Sequence, residues 1–99
     1  MAPQVISLAC EMWITREEFL RCLPAAVAHV PFAITSSGAI STGAGAKWRF
    51  EMTELPERVI TPLMRCPRLY VELTLDGYAP EAADAFMQRF WRYFQRGGG

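Results

Sequence analysis

The strongest constraint on the fold of this chain is an amphipathic, aromatic-rich segment close to its end, residues 80–96. At about 100° per residue, its apolar side chains fall within one sector of a helix, opposite the polar ones. The apolar sector consists of Ala83, Phe86, Met87, Phe90, Trp91, Tyr93 and Phe94. A helix with so many aromatic side chains needs a broad apolar surface to cover, so the pattern predicts a helix that lies over a sheet.

Three segments before this helix have the composition of β-strands. In residues 47–53 and again in residues 69–75, apolar and polar side chains alternate, which predicts strands with one buried face. The apolar face of the first of these strands consists of Trp48, Phe50 and Met52. Residues 4–14 are mostly apolar and partly β-branched, which predicts a strand covered on both faces or placed at a dimer contact.

A first helix is predicted to begin after Thr15. The sequence Thr-Arg-Glu-Glu at residues 15–18 is a capping box, in which the Thr15 hydroxyl accepts from the Glu18 amide and the Glu18 carboxylate accepts from the Thr15 amide. Proline lacks an amide donor and clashes with the preceding turn, so Pro24 predicts a kink or a break. We then expect a second short helical piece at residues 25–29.

Two other stretches are rich in residues that interrupt regular structure. Residues 31–36 are a predicted strand, and residues 36–46, with three glycines, are a predicted loop and the segment expected to be most flexible. Residues 55–67 contain three prolines, a residue type that is rare inside strands. We therefore expect a connection there, with at most a short strand at residues 58–61.

The resulting element order, β-α-β-β-(β)-β-α, determines the expected fold class. Strands that follow one another closely and alternate in polarity favour antiparallel pairing. We expect an α+β two-layer sandwich, with a mainly antiparallel sheet of four to five strands and two helices on one face. The 99 residues, 52% of them hydrophobic, suit one domain over residues 1–96, followed by a flexible glycine tail at residues 97–99.

The composition argues against several classes of function. Ten basic and ten acidic residues balance to a formal charge of zero, so the chain lacks the positive charge of a dedicated DNA-binding protein. No window is apolar enough to span a membrane, and no basic residue precedes the first short apolar run, as it would in a secretory signal. The three cysteines have no disulfide or zinc spacing. We expect a cytoplasmic protein of bacterial type that binds neither DNA nor a membrane.

The sequence predicts no catalytic or cofactor-binding residue. Activation of a cysteine needs a nearby base, and His29 is the one histidine available to Cys10, Cys22 or Cys66. The same four residues are too scattered along the chain to predict a metal site. The chain is therefore expected to be non-enzymatic, without a cofactor or a metal.

Three alternative functions remain open from the sequence. In the first, Lys47, Arg49 and Arg58 hold a small anion in a pocket between the sheet and the glycine-rich loop. In the second, the C-terminal Gly-Gly serves as the attachment point of a carrier, as in ubiquitin-like modifiers, although those end in a strand before their glycines. In the third, Trp48 and Tyr70 form a platform on which RNA bases stack.

The preferred interpretation is a protein-interaction or self-associating module. More than half of the chain is hydrophobic and the two helices cover one sheet face, so apolar surface is left over for an interface. The edge of the C-terminal helix and its arginine-rich side are not needed to cover the sheet. The partner contacts predicted there are Arg89, Trp91, Arg92, Tyr93 and Arg96.

Overall fold

The computed structural model describes residues 5–98, and their side chains as far as Phe94. These residues form five strands and two helices. They are β1 (Val5–Met12), α1 (Arg16–Ala26), β2 (Phe32–Ile34), β3 (Gly38–Ser41), β4 (Lys47–Thr61), β5 (Met64–Asp76) and α2 (Pro80–Gly98). The strands form one sheet in the order β1-β5-β4-β3-β2, and every neighbouring pair is antiparallel.

The two helices pack on the sheet face that the alternation predicts to be buried. All the core-facing residues predicted for β4 and β5 are buried. They are Trp48, Phe50, Met52, Leu69, Val71, Leu73 and Leu75. The ring of Phe50 lies 5.4 Å from the ring of Phe19 in α1 and 5.5 Å from that of Phe90 in α2. Both helices therefore cover the same face, and the predicted α+β two-layer sandwich is confirmed.

The start of α1 agrees with the sequence prediction, whereas its course after Pro24 does not. Thr15 Oγ1 accepts a hydrogen bond from Glu18 N at 3.1 Å, and Glu18 Oε1 accepts one from Thr15 N at 3.4 Å, which confirms the capping box. The predicted interruption at Pro24, with a second helical piece after it, is wrong, because α1 runs through Pro24 and ends at Ala26. A proline so close to a helix end removes one backbone hydrogen bond, and burial of the apolar side of α1 offsets that loss.

The chain leaves α1 through two successive residues in the left-handed region, Ala28 (φ 56°) and His29 (φ 60°). Hydrogen bonds hold both backbones there, from Ala28 N to Ala25 O at 3.2 Å and from His29 N to Pro24 O at 2.8 Å. This conformation costs a residue with a Cβ about 1–2 kcal/mol. The turn after α1 is therefore strained.

Replacing Ala28 with glycine is expected to raise the free energy of unfolding by about 1 kcal/mol, because glycine adopts positive φ without a steric penalty. Ala28 is exposed, so the change removes no packing. Urea denaturation measures the effect. The matched control is Ala85→Gly, at an exposed position inside α2, where the lost helix propensity is expected to lower stability by about 1 kcal/mol. If both variants lose stability, Ala28 is not strained.

The glycine-rich segment is more regular than its composition predicts. Residues 38–41 lie within the predicted loop, yet they form β3, which pairs with both β2 and β4. Ala39 and Ser41 are buried, and Ser41 Oγ accepts a hydrogen bond from Trp48 N at 3.0 Å. The prediction of a loop is wrong for these residues, because small side chains allow β3 to lie close against β4. This strand, and not residues 58–61, supplies the fifth strand of the sheet.

The proline-containing segment also departs from its prediction. Strands β4 and β5 are 15 and 13 residues long, and a two-residue turn at Pro62 and Leu63 joins them. The expectation of a connection with at most a short strand is therefore wrong. Beyond Leu55, β4 and β5 pair only with each other, so the outer edge of each strand forms no ladder hydrogen bonds. A proline, which has no amide donor, is tolerated where its nitrogen faces such an edge, and Pro56 and Pro67 lie in this region.

The C-terminal helix extends further than the sequence predicts. Helix α2 ends at Gly98, two residues past the predicted limit at Arg96. Gly99 lies outside the described residues. The flexible tail at residues 97–99, and the carrier function that depends on it, stay predictions.

Candidate functional site

The end of the β4–β5 hairpin, which we call the arm (residues 55–68), projects from the sheet. β1 pairs with β5 only as far as Leu69, and β3 pairs with β4 only as far as Glu51, so the strands of the arm pair with each other alone. At about 3.3 Å per residue, the two strands of the arm, residues 55–61 and 64–68, are about 23 Å and about 17 Å long. The arm contributes to the elongated shape of the molecule, which measures 53 × 25 × 22 Å.

The end of the arm combines exposed apolar side chains with positive charge. Residues 58–65, with the sequence Arg-Val-Ile-Thr-Pro-Leu-Met-Arg, contain two arginines and no acidic residue, and we call them the tip. Leu63 is 99% exposed, and the exposed fractions of Val59, Ile60 and Met64 are 57%, 46% and 54%. Four exposed apolar side chains close together at the end of a hairpin commonly mark an interaction site.

Contacts at the base of the arm attach it to β1. Arg68 donates from Nη2 and Nε to the two carboxylate oxygens of Glu11, at 2.8 and 3.1 Å. Trp13 Nε1 donates to Glu11 at 3.1 Å, and the Arg58 guanidinium lies 5.5 Å from the centre of the Trp13 ring. The hydrogen bonds from Arg68 and Trp13 lower the pKa of Glu11. Their stabilisation is present above the ordinary pKa of a glutamate and is lost as the pH falls through the lowered pKa.

A groove with a volume of about 340 Å³ lies at the base of the arm, beside the beginning of α1. Its apolar lining comes from Ile14, Leu55, Pro67 and Leu69. Its polar lining comes from Thr15, Arg16, Glu17, Glu54, Glu57 and Arg68. Sites that enclose a small ligand or an anchoring side chain have a similar combination of an apolar floor and a polar rim.

The rim of the groove carries an excess of negative charge. Arg16 donates to the neutral Thr35 carbonyl at 3.1 Å and keeps its positive charge, whereas Arg68 is ion-paired with Glu11. Within the described part of the chain, Glu17 and Glu54 have no cation at ion-pair distance. The groove therefore suits a ligand that is apolar and positively charged.

The three residues predicted to hold an anion do not come together. Lys47 Nζ donates to the Gly43 carbonyl at 2.6 Å, and Arg49 is ion-paired with a neighbouring glutamate at 3.7 Å. Both lie on the uncovered face of β4. Arg58 belongs to the arm, nine residues beyond Arg49, which is about 30 Å along an extended strand. Anion binding by these residues stays a prediction.

The predicted partner contacts in α2 have different surroundings. Arg89 Nε donates to a carbonyl in the last turn of α1 at 2.8 Å, and its guanidinium lies 5.4 Å from the centre of the Tyr93 ring. Arg89 thus gives a carbonyl at the end of α1 a second donor and joins the two helices. Trp91 is half-buried and Arg92 is exposed. The side chain of Arg96 lies outside the described residues, and partner binding by this set stays a prediction.

The two aromatic residues predicted to stack on RNA lie on opposite faces of the sheet. Trp48 is 2% exposed and packs between the rings of Phe32 and Phe50 beneath the helices. Tyr70 lies on the uncovered face, beside Thr53 in β4. The two rings therefore do not form a common platform, and RNA binding stays a prediction without it.

The surroundings of Cys10 do not activate its thiol. Burial raises the pKa of the Cys10 thiol, which disfavours the thiolate that a nucleophile or a metal ligand requires. No group of three or more His, Cys, Asp or Glu residues among those described is arranged to hold a metal ion.

The free edge of β1 is a second apolar surface. β1 ends the sheet, so one side of its backbone has no partner strand among the described residues. The exposed fractions of Val5, Ile6 and Leu8 are 59%, 36% and 38%. Residues 5–10 contain no lysine or proline, the residues that usually protect an edge strand from pairing. This edge competes with the arm as an interaction surface.

Comparisons with known proteins do not assign the fold or the arm to a family. No protein-family model, curated protein or solved structure matches the chain. In the part of the chain that the structure describes, no helix is both long enough and apolar enough to cross a membrane.

Sequence reasoning missed both the arm and the groove. The tip does carry a local signal, because a Pro-Leu turn lies between the β-branched residues Val59, Ile60 and Thr61 on one side and Met64 on the other. The groove carries no local signal. Its lining comes from the start of α1 and from β4 and β5, two consecutive strands that follow much later in the sequence.

Proposed function

We propose that this protein is a non-enzymatic, self-associating interaction module whose contact element is the arm. The observation that carries the proposal is the exposure of Val59, Leu63 and Met64 at the end of a hairpin that no other described strand or helix covers. A two-stranded hairpin is marginally stable in water and is stabilised when a further surface packs against it. The arm is therefore suited to a protein that functions with this hairpin covered.

A second copy of the chain is the partner that the charges favour. The formal net charge is zero, so long-range repulsion does not keep two copies apart. An arm that contacts the same surface on its partner also produces a closed two-fold dimer, the most common type of homo-oligomer. We place the dimer in the cytoplasm of a bacterial cell, and the three free cysteines are consistent with a reducing compartment.

Size-exclusion chromatography with light scattering tests self-association. At tens of micromolar, we expect the full chain to have twice its monomer mass of 11.2 kDa. The double variant Val59→Ser/Leu63→Ser is expected to be a folded monomer with the circular dichroism spectrum of the native chain, because both side chains are exposed in the monomer. Its thermal midpoint should match that of the native chain at a dilution that dissociates the dimer. A full-length chain that stays monomeric at these concentrations rules the proposal out.

Two further variants locate the contact. Ile34→Ser is the matched control, because Ile34 is an exposed aliphatic residue (61%) on β2, the edge strand farthest from β1 in the sheet, and this variant should remain a dimer. Leu8→Lys places a charge on the β1 edge. A dimer that survives the arm variant but not Leu8→Lys assigns association to β1 and overturns the role of the arm.

A further inference from the structure

The molecule carries a surface whose chemistry complements that of its own tip. We infer that the tip of one copy docks in the groove of a second copy while the second copy's tip docks in the groove of the first. This inference rests on the proposed self-association and identifies the receptor for the arm. The tip supplies apolar side chains between two arginines, and the groove supplies an apolar floor and a rim in which three glutamates outnumber two arginines.

The geometry of the arm makes this contact reciprocal. The groove is lined by Leu55 and Pro67 at the base of the arm, and Leu63 lies at the opposite end of the same arm. When two arms lie side by side and antiparallel, each end meets the base of the other. The two-fold axis then passes near the middle of the paired arms. Both tips and both grooves are occupied in this dimer, so neither is free to bind a third copy.

The size and lining of the groove suit the turn of the tip. Leu63 extends fully into solvent in the single chain, so it can enter a partner's groove without local unfolding. A volume of about 340 Å³ lies in the range of pockets that enclose small ligands, roughly 300–1,000 Å³. Ile14, Leu55 and Pro67 would surround the leucine, and buried apolar anchors of this kind supply most of the affinity at an interface.

Charge determines which end of the arm meets the groove. Arg58 and Arg65 flank the apolar part of the tip. The Arg58 guanidinium lies 5.5 Å from the Trp13 ring of its own copy, which leaves Arg65 as the arginine offered to a partner. Glu17 and Glu54 are the glutamates of the rim without a cationic partner among the described residues. Arg65 is held within its own arm by an ion pair of 3.5 Å to Glu57, and both side chains are more than half exposed. Exposed pairs contribute little to stability, so the arginine can exchange this glutamate for one on a partner.

Reversing the charge of the groove and introducing a negative charge at the tip test the inference. The groove variant is Glu17→Lys/Glu54→Lys, and the tip variant is Leu63→Glu. We expect each to weaken the dimer about tenfold or more, as for the loss of a central contact. Mixing the two variants should restore association. In the mixed dimer, the native tip of the groove variant docks in the native groove of the tip variant. At the other contact, the glutamate introduced at the tip meets the lysines introduced in the groove. Sedimentation equilibrium measures the dissociation constants.

The matched control is Glu72→Lys/Glu81→Lys, which changes the net charge of the chain by the same amount as the groove variant does. Glu72 lies on a central strand, as Glu54 does, and Glu81 lies in the first turn of α2, as Glu17 lies in that of α1. This control should dimerise like the native chain. If the groove variant also dimerises like the native chain, the groove is not the receptor, while the proposed self-association stands.

Two other results count against the inference. A dimer that the tip variant and the groove variant both weaken, but that their mixture does not restore, overturns reciprocal docking. The second result is a native chain that stays monomeric and sediments with phosphatidylcholine–phosphatidylserine vesicles, while the Leu63→Glu variant does not sediment with them. This result would show that the tip binds a lipid surface. That second result overturns both the inference and the proposed function, because an apolar tip with two arginines then has a membrane as its partner.

Discussion

The variant Gly38→Ala is expected to lose about 3 kcal/mol of stability, near the upper limit for overpacking a core position. A Cβ on residue 38 would lie 1.8 Å from the carbonyl oxygen and 2.8 Å from the carbonyl carbon of Phe50. Neither atom can move freely, because both belong to the backbone of β4 and the Phe50 side chain is fully buried. The close approach of β3 to β4 therefore depends on a residue without a side chain.

Urea denaturation followed by circular dichroism measures this loss. The matched control is Gly43→Ala, since a Cβ there meets no atom within 4 Å. Gly43 is not among the residues with positive φ, so its alanine variant is expected to be neutral or slightly more stable, by about 0.4–1 kcal/mol at most. Equal stabilities for the two alanine variants would show that β3 can move away from β4 without cost.

The elements that could be predicted from the sequence are those whose signal is local. Trp48, Phe50 and Met52 alternate with polar residues, and this period of two identifies the buried face of β4 whatever its partners are. The capping box at Thr15 similarly depends on four consecutive residues. Because these signals need no tertiary contact, the fold class and the core followed from them.

The elements that were predicted wrongly depend on their neighbours in space. Glycine and alanine in residues 38–41 favour a loop when taken alone, but β3 forms because the backbone of β4 accepts it at close range. Pro56 and Pro67 disfavour a strand inside a sheet, yet the arm leaves one edge of each strand free. Neither circumstance can be read from composition.

The candidate site could not be predicted for a related reason. In the sequence, the apolar residues of the tip fall in a segment predicted to be a connection. A single exposed apolar residue is normal on a protein surface and does not indicate a binding site. Their meaning comes from their position together at the end of a projecting hairpin, with the groove at its base. The sequence did favour association over catalysis, and the arm now gives that proposal a specific surface to test.

Removal of the Phe19 side chain is expected to be as damaging as the change at Gly38, with a loss of about 3–5 kcal/mol for Phe19→Ala. Phe19 is fully buried, and its ring contacts those of Phe50 at 5.4 Å and Phe94 at 4.6 Å, so it joins α1 to both β4 and α2. Small domains are stable by about 5–15 kcal/mol, so this variant should show a much lower urea midpoint and a weaker near-ultraviolet circular dichroism signal. Leu20→Ala, at the next and half-buried position of α1, should cost about 1 kcal/mol. A loss for Phe19→Ala no larger than that for Leu20→Ala would mean that the aromatic cluster does not hold the helices on the sheet.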